Sequence, residues 1–225
     1  SAAPFRVGKD RLRYDCLAAH ARNHGVPFVY VNQVGGNDEL VFDGRSFVLD
    51  GKGRPVAVLA PFREDFAVVD LGAPSSSSRP YPDLDRVESI YDALVLGLRD
   101  YLRKCGFGKV VCGLSGGIDS AVTSCLAAAA VGAENVLGIT MPSPYSSSKS
   151  SRYARLQAQN QGISFLEIPI VEPYATLRKL LREPLHLGNE IEVTQENIQA
   201  RLRGILLMAF SNREGYVLLS NRNKS

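Results

Sequence analysis

Residues Lys109–Ala130 read KVVCGLSGGIDSAVTSCLAAAA, and the reading of this stretch decides the fold around it. Val110 to Leu114 is apolar and rich in β-branched residues, as a short buried strand requires. Ser115-Gly116-Gly117-Ile118-Asp119-Ser120 follows as a tight turn. Ala121 to Ala130 predicts a helix of small residues, able to lie close against a sheet. Two glycines let backbone N–H groups approach a ligand, and the helix N-terminus adds partial positive charge. The stretch is therefore an anion cradle suited to phosphate. No Lys-Ser or Lys-Thr closes it, so it is not a Walker A loop. The plain alternative is a strand–turn–helix with Asp119 or Ser120 as N-cap, but the clustering of Ser, Gly-Gly and Asp exceeds what a cap needs.

Downstream, Val136 to Met141 reads as a second apolar strand, Ser146 to Asn160 as polar loop into helix, and Ser164 to Ile168 as a third strand. Tyr174 to Leu181 and Gln195 to Asn212 have helical character, and Tyr216 to Ser220 is a fourth strand. Upstream, Val87 to Cys105 is a long amphipathic helix ended by Gly106. Strands alternating with helices imply an α/β, doubly wound parallel sheet with ligands at the C-terminal strand ends. Three further segments project from those ends, the last being Ser220-Asn-Arg-Asn-Lys-Ser225 after the final strand, where a second nucleotide contact would sit. Met141-Pro-Ser-Pro-Tyr-Ser-Ser-Ser148 is rich in hydroxyls that can meet phosphate or ribose, or simply form a loop. Asn197, Arg201 and Gly204 share one helical face, where arginines beside amides suit a carboxylate or phosphate, or make an ordinary solvated face.

Before the linker the pattern changes. Arg11 to His24 reads as a helix with Leu12, Cys16, Ala19 and His20 on one face, stopped by Gly25. Val26 to Val31 is a strand and Asn32 to Asp38 a polar, Gly-rich loop. Leu40 to Phe42 and Ser46 to Leu49 flank Asp43-Gly44, a hairpin signal, and Pro55 to Leu59 and Phe66 to Leu71 complete a β-meander. Gly72-Ala-Pro-Ser-Ser-Ser-Ser-Arg-Pro-Tyr-Pro-Asp83 carries three prolines and a serine run, so residues 72–85 read as an exposed connection between segments 1–71 and 86–225.

The chain has 225 residues, 45% apolar and 22% charged, with a net charge of +3. That composition is an ordinary globular one. It has no basic stripe for nucleic acid and no apolar run long enough to cross a membrane. Cys16, Cys105, Cys112 and Cys125 have neither CxxC nor metal spacing, which predicts reduced, mostly buried thiols and a cytoplasmic setting. His20 and His24 read as surface residues near a helix end.

Ser-Gly-Gly-x-Asp-Ser resembles the pyrophosphate loop of the N-type ATP pyrophosphatases, which adenylate a substrate and let a nitrogen or sulfur nucleophile displace AMP. More of the chain is familiar. Tyr30-Val-Asn-Gln-Val-Gly-Gly-Asn-Asp-Glu-Leu-Val-Phe-Asp-Gly44, with Ser46-Phe47, resembles the C-terminal half of a nitrilase-like glutamine amidase. Ser1-Ala-Ala-Pro-Phe5 with Gly8-Lys9 resembles the segment after that family's nucleophile, which helps bind glutamine. Together with Gly113–Ser120, Met141-Pro-Ser143, Tyr145-Ser-Ser147, Glu196-Asn-Ile-Gln-Ala-Arg-Leu-Arg-Gly204 and Asn223-Lys-Ser225, the order amidase, linker, pyrophosphatase resembles the glutamine-dependent NAD⁺ synthetases over essentially the entire chain.

The resemblance implies a partial nitrilase-like α/β sandwich followed by an adenine nucleotide alpha hydrolase-like sheet, truncated at its C-terminus one residue short of a glutamate that serves substrate and metal. It implies ATP bound by Gly113, Leu114, Ser115, Gly116, Gly117, Ile118, Asp119, Ser120 and Asn221, Mg²⁺ on Asp119, deamido-NAD⁺ on Asn197 and Arg201, and glutamine on Lys9. The glutaminase Glu, Lys and Cys lie upstream of residue 1, so no glutaminase catalytic residue is expected here. Ammonia from glutamine would convert a deamido-NAD⁺ acyl-adenylate to NAD⁺, and the intact enzyme would be a homo-oligomer. Ala3 stands where the family has Ser, Tyr153 where it has Asp, and Asn221-Arg222 where it has Thr-Gly. The competing expectations are an inactive fragment that binds ATP or assembles with other chains, and another amide-forming or tRNA-modifying pyrophosphatase.

Overall fold

A computed structural model describes residues 1–72, 80–186 and 193–220. The chain forms two compact units, Ser1–Tyr101 and Leu102–Ser225. The division falls later than the 72–85 linker because most of helix α2 (Arg86–Lys104) packs with the first unit. Ala93 and Leu96 bury against Phe62, beside Val34 and Val41. The Gly36 N–H donates to the buried Asp100 carboxylate at 2.7 Å. Residues 73–79 of the linker lie outside the described residues.

In the first unit, helix α1 (Lys9–His24) is followed by strands β1 (Phe28–Tyr30), β2 (Val34–Asn37), β3 (Leu40–Asp43), β4 (Phe47–Leu49) and β5 (Pro55–Val58). β1, β4 and β5 form an antiparallel sheet, and β2 and β3 a separate hairpin. Three expectations change. The Gly-rich stretch read as a loop is strand β2, paired Val34 to Asp43 through Asn37 to Leu40, with Gly35 at φ +132°, a backbone conformation glycine adopts without a Cβ penalty. Asp43-Gly44 therefore does not close a hairpin: β3 pairs with β2, while β4 pairs with β1 and β5. Phe66 to Leu71 forms no strand.

The packed face of α1 also differs. Asp10, Arg13, Ala18 and Ala21 are buried, with Ala18 and Ala21 against Phe47, Leu49 and Tyr81, while Leu12 is 69% exposed. A buried ion network draws the helix round: Arg13 pairs with both Asp10 and Asp43.

The second unit carries β6 (Val110–Gly113), α3 (Ile118–Val131), β7 (Val136–Thr140), α4 (Ser148–Gln161), β8 (Ser164–Glu167), α5 (Val171–Arg182), α6 (Val193–Glu214) and β9 (Val217–Leu219). The strands form one parallel sheet in the order β8-β7-β6-β9, as strands alternating with helices predict. Alternation along β6 decides its two faces. Val111 joins Leu137, Ile139, Met141 and Leu202 in a core beneath α5 and α6. On the opposite face, small residues let α3 and α4 approach: Ala127, Ser124, Ala154 and Ala158 are almost fully buried. Gln157 ties the two helices, donating to Ser124 Oγ at 2.6 Å. From β6 the chain runs outward to β7 and β8, then crosses to β9 on the other side. The C-terminal end of β6 is thus the switch point where such sheets bind ligands.

Candidate functional site

The loop leaving β6 is shaped by its glycines and serines. Leu114 extends the ladder through its N–H to Ile139 O at 2.8 Å, after which Gly116 turns at φ +78°. A Cβ at Gly116 would overlap the Ser150 carbonyl of α4. Ser120 is the loop's internal brace: its Oγ donates to Gly117 O at 2.9 Å, accepts from Ser115 N–H at 3.3 Å and lies 3.2 Å from Ser115 Oγ. Ser115 Oγ in turn accepts from Gly117 N–H at 3.2 Å.

The helix begins at Ile118, three residues before the predicted start, so Asp119 and Ser120 occupy its first turn and neither is the N-cap. The N-cap is Gly117, with no side-chain cap. The first helical bond runs from Ala121 N–H to Gly117 O, which leaves the Ile118, Asp119 and Ser120 amides without intrahelical acceptors. These amides and the positive helix end suit an anion at the loop.

A cavity of about 350 Å³ opens beside the loop. Gly113, Leu114 and Ser115 form one wall, Thr140–Pro142 with Ser146, Ser150 and Ser151 another, and Arg203 and Leu207 of α6 a third. The hydroxyl-rich segment is partly a self-satisfied turn, since Ser146 Oγ accepts from Ser143 N–H at 2.8 Å and Ser147 caps α4.

Of the two arginines read as suiting a carboxylate or phosphate, Arg203, which was not assigned to the shared face, is the one that lines this cavity. Its Nε donates to Met141 O at 3.1 Å, burial lowers its pKa, and no carboxylate among the described residues pairs with it. A half-buried guanidinium without a carboxylate partner, lining the same cavity as Ser115 at the start of the loop, suits an anion. No local pattern marks its side as the cavity side: Arg203 lies two residues, or about 200°, from Arg201, and that offset alone does not say what either face meets.

The other expected residues lie apart from this cavity. Asn197 and Arg201 are exposed and bonded to each other, Arg201 Nη1 to Asn197 Oδ1 at 3.1 Å. Arg201 and Gly204 border a shallow face with Ala200, Ile205 and Met208. Lys9 opens α1 and donates from Nζ to Pro4 O at 3.1 Å. Asn221 and residues 222–225 lie outside the described residues.

Among the described residues no three His, Cys, Asp or Glu side chains gather as a metal cluster. The exposed Asp119 carboxylate stands alone at the loop, which fits Mg²⁺ held by one carboxylate, waters and substrate phosphates. The thiols correct another expectation: only Cys112 is buried, whereas Cys16 and Cys125, on the solvent sides of α1 and α3, and Cys105, in the turn after α2, are exposed. Burial pushes the Cys112 thiol up to about 11.

The chain is 45% identical to the glutamine-dependent NAD(+) synthetase of Synechocystis sp., covering 100% of this chain and 41% of the relative. It is 43% identical to that of Rhodobacter capsulatus, covering 100% of this chain and 42% of the relative. It therefore spans about two fifths of the length of these curated relatives. Among solved structures, the glutamine-dependent NAD+ synthetase from Acinetobacter baumannii in complex with ADP superposes with a TM-score of 0.87 at 38% identity, over 99% of this chain and 43% of that one. The model of the NAD synthase family matches residues 90–225. With more than half its length under that match, this chain belongs to the NAD synthase family.

Proposed function

We propose that this chain forms the ATP site and part of the glutamine amidase of an enzyme that amidates deamido-NAD⁺ to NAD⁺. The observation that carries the reading is the meeting of Ser115, the first residue of the glycine loop, with Arg203, which no described carboxylate pairs, in one cavity at the C-terminal end of β6. The Ile118, Asp119 and Ser120 amides at the helix end, with Ser115 and Arg203 on the walls of the neighbouring cavity, fit a nucleoside triphosphate laid across the strand ends.

In this reading the nicotinate carboxylate attacks the α-phosphorus of ATP, and pyrophosphate leaves into the Ser115–Ser120 loop. The helix-end amides receive the charge that develops on the leaving oxygen, and Arg203 faces the phosphates from α6. Because both are held in place before the reaction, no reorganisation is needed as charge moves. Asp119 would hold Mg²⁺, which neutralises charge on the leaving phosphates when bound. Ammonia then attacks the acyl carbon, the amide forms, and AMP departs with one carboxylate oxygen. The activated ester and neutral ammonia need positioning more than a general base. Asn197 and Arg201, on the exposed face of α6, are proposed to meet the acceptor dinucleotide, and Asn221 the nucleotide. The amidase-like segment, with Lys9 beside residues 1–5, is proposed to hold glutamine, with the glutaminase nucleophile supplied from outside this chain.

The test is product analysis with the full-length protein carrying this chain, supplied with ATP, Mg²⁺, ammonium and deamido-NAD⁺. AMP and pyrophosphate should appear in equal amounts, and only when deamido-NAD⁺ is present. Formation of ADP and phosphate, or turnover with a different acceptor alone, contradicts the proposal.

A further inference from the structure

Residues 1–5 pack along the first unit through an unusual fastening. Ser1 N donates to Val31 O at 2.8 Å and Gln33 N–H to Ser1 O at 3.0 Å, while Phe5 N–H donates to Val41 O at 2.6 Å. Between those ends the backbone of Ala3 is held by a side chain rather than by a strand. Asn32 Oδ1 accepts from Ala3 N–H at 2.9 Å, and Asn32 Nδ2 donates to Ala3 O at 3.1 Å. One amide thus imitates a paired strand residue, satisfying both backbone groups of Ala3 at once.

The orientation of that amide is fixed from behind. Asn32 Nδ2 also donates to Asp43 Oδ1 at 3.1 Å. Asp43 is 2% exposed, and Arg13 grips it with Nη1 at 3.1 Å and Nη2 at 2.9 Å. A buried, ion-paired carboxylate only accepts, so the nitrogen of Asn32 must face it and the oxygen must face Ala3 N–H. Ser46 Oγ accepts from Asn32 N–H at 3.1 Å and holds its backbone. The clamp reaches onward: Pro4 O, the next carbonyl, is the acceptor of Lys9 Nζ.

We infer that Asn32, backed by the Arg13–Asp43 pair, is the positioning residue that sets the backbone of residues 1–5 and the place of Lys9, and thereby the affinity for glutamine. The inference rests on the amidase reading above. Asn32 takes no part in amide formation on the nucleotide, so its role separates by nitrogen source.

The experiment uses the full-length protein with NAD⁺ formation driven either by glutamine or by ammonium, in wild type, Asn32→Ala and Asn32→Asp. Losing the two part-buried bonds to Ala3 and the buried one to Asp43 should raise the KM for glutamine about tenfold or more in Asn32→Ala. The ammonium-driven rate should stay within twofold of wild type. Asp has the volume of Asn but cannot donate when ionised, and it sets a second carboxylate against Asp43 and Ala3 O. Asn32→Asp should therefore raise the glutamine KM at least as much as Asn32→Ala. Unchanged glutamine KM in both variants overturns the inference, as does equal loss of both activities, which would make Asn32 a general folding residue. A wild-type protein that uses ammonium but never glutamine overturns the amidase reading itself, and the inference with it.

Discussion

Gly116 shows how much of the site depends on a single backbone. Its φ of +78° is costly for any residue with a Cβ, and the added methyl would meet the Ser150 carbonyl, which α4 holds in place. Gly116→Ala should cost about 1–3 kcal/mol in urea unfolding and weaken ATP binding more than stability alone accounts for. The two arginines of α6 make a sharper pair. Arg203→Ala should reduce ATP affinity about tenfold or more by equilibrium titration, because a charged hydrogen bond to phosphate is lost. Arg201→Ala should leave ATP affinity unchanged and act on the acceptor dinucleotide. Of these residues the loop was legible in sequence, since its Ser, Gly-Gly and Asp spacing is local. Arg203 was not, because a lone arginine on a helix reads the same whether it faces solvent or a cavity made by strands far away in sequence.

Among the elements, the second unit was the easier to read. Val110 to Leu114 and Val136 to Met141 are short apolar runs bounded by glycine or proline, and both are strands, close to the predicted limits. The early start of α3 escaped notice because Ile118-Asp119-Ser120 resembles a turn, yet Gly117 already supplies the N-cap position. In the first unit, β2 and its pairing with β3 were hidden in Val34-Gly-Gly-Asn37, where glycine signals a loop and only a partner strand reveals otherwise.

β6 itself carries a pH prediction. The Cys112 thiol is pushed from its ordinary 9.0 up to about 11 by burial. The unfolded chain then releases its proton first, so this contribution to stability is complete below about pH 9 and is lost as pH rises towards 11. The loss across that window is about 3 kcal/mol at most. Urea unfolding of wild type between pH 8.5 and 10.5 should fall more steeply than that of Cys112→Ala. The same burial predicts that a thiol reagent at pH 8 labels Cys16, Cys105 and Cys125 quickly and Cys112 slowly.

At the scale of the molecule, the Pro- and Ser-rich stretch announced a change of domain, but packing divides the chain at Tyr101 and Leu102. Composition could not reveal that α2 spends most of its length on the first unit, since the contact depends on Gly36 meeting Asp100. The account of catalysis rests on the second unit alone. Asp119→Asn should leave the unfolding midpoint within about 0.5 kcal/mol of wild type, because the side chain is exposed, yet reduce Mg²⁺-dependent AMP release a hundredfold or more. The central claim is that the cavity at the end of β6 activates a carboxylate by adenylation. It is tested most directly with deamido-NAD⁺ labelled with ¹⁸O in its nicotinate carboxylate, turned over by the full-length protein with ATP and ammonium. One labelled oxygen should appear in the phosphate of AMP, whereas AMP free of label, or label in inorganic phosphate, would contradict the account.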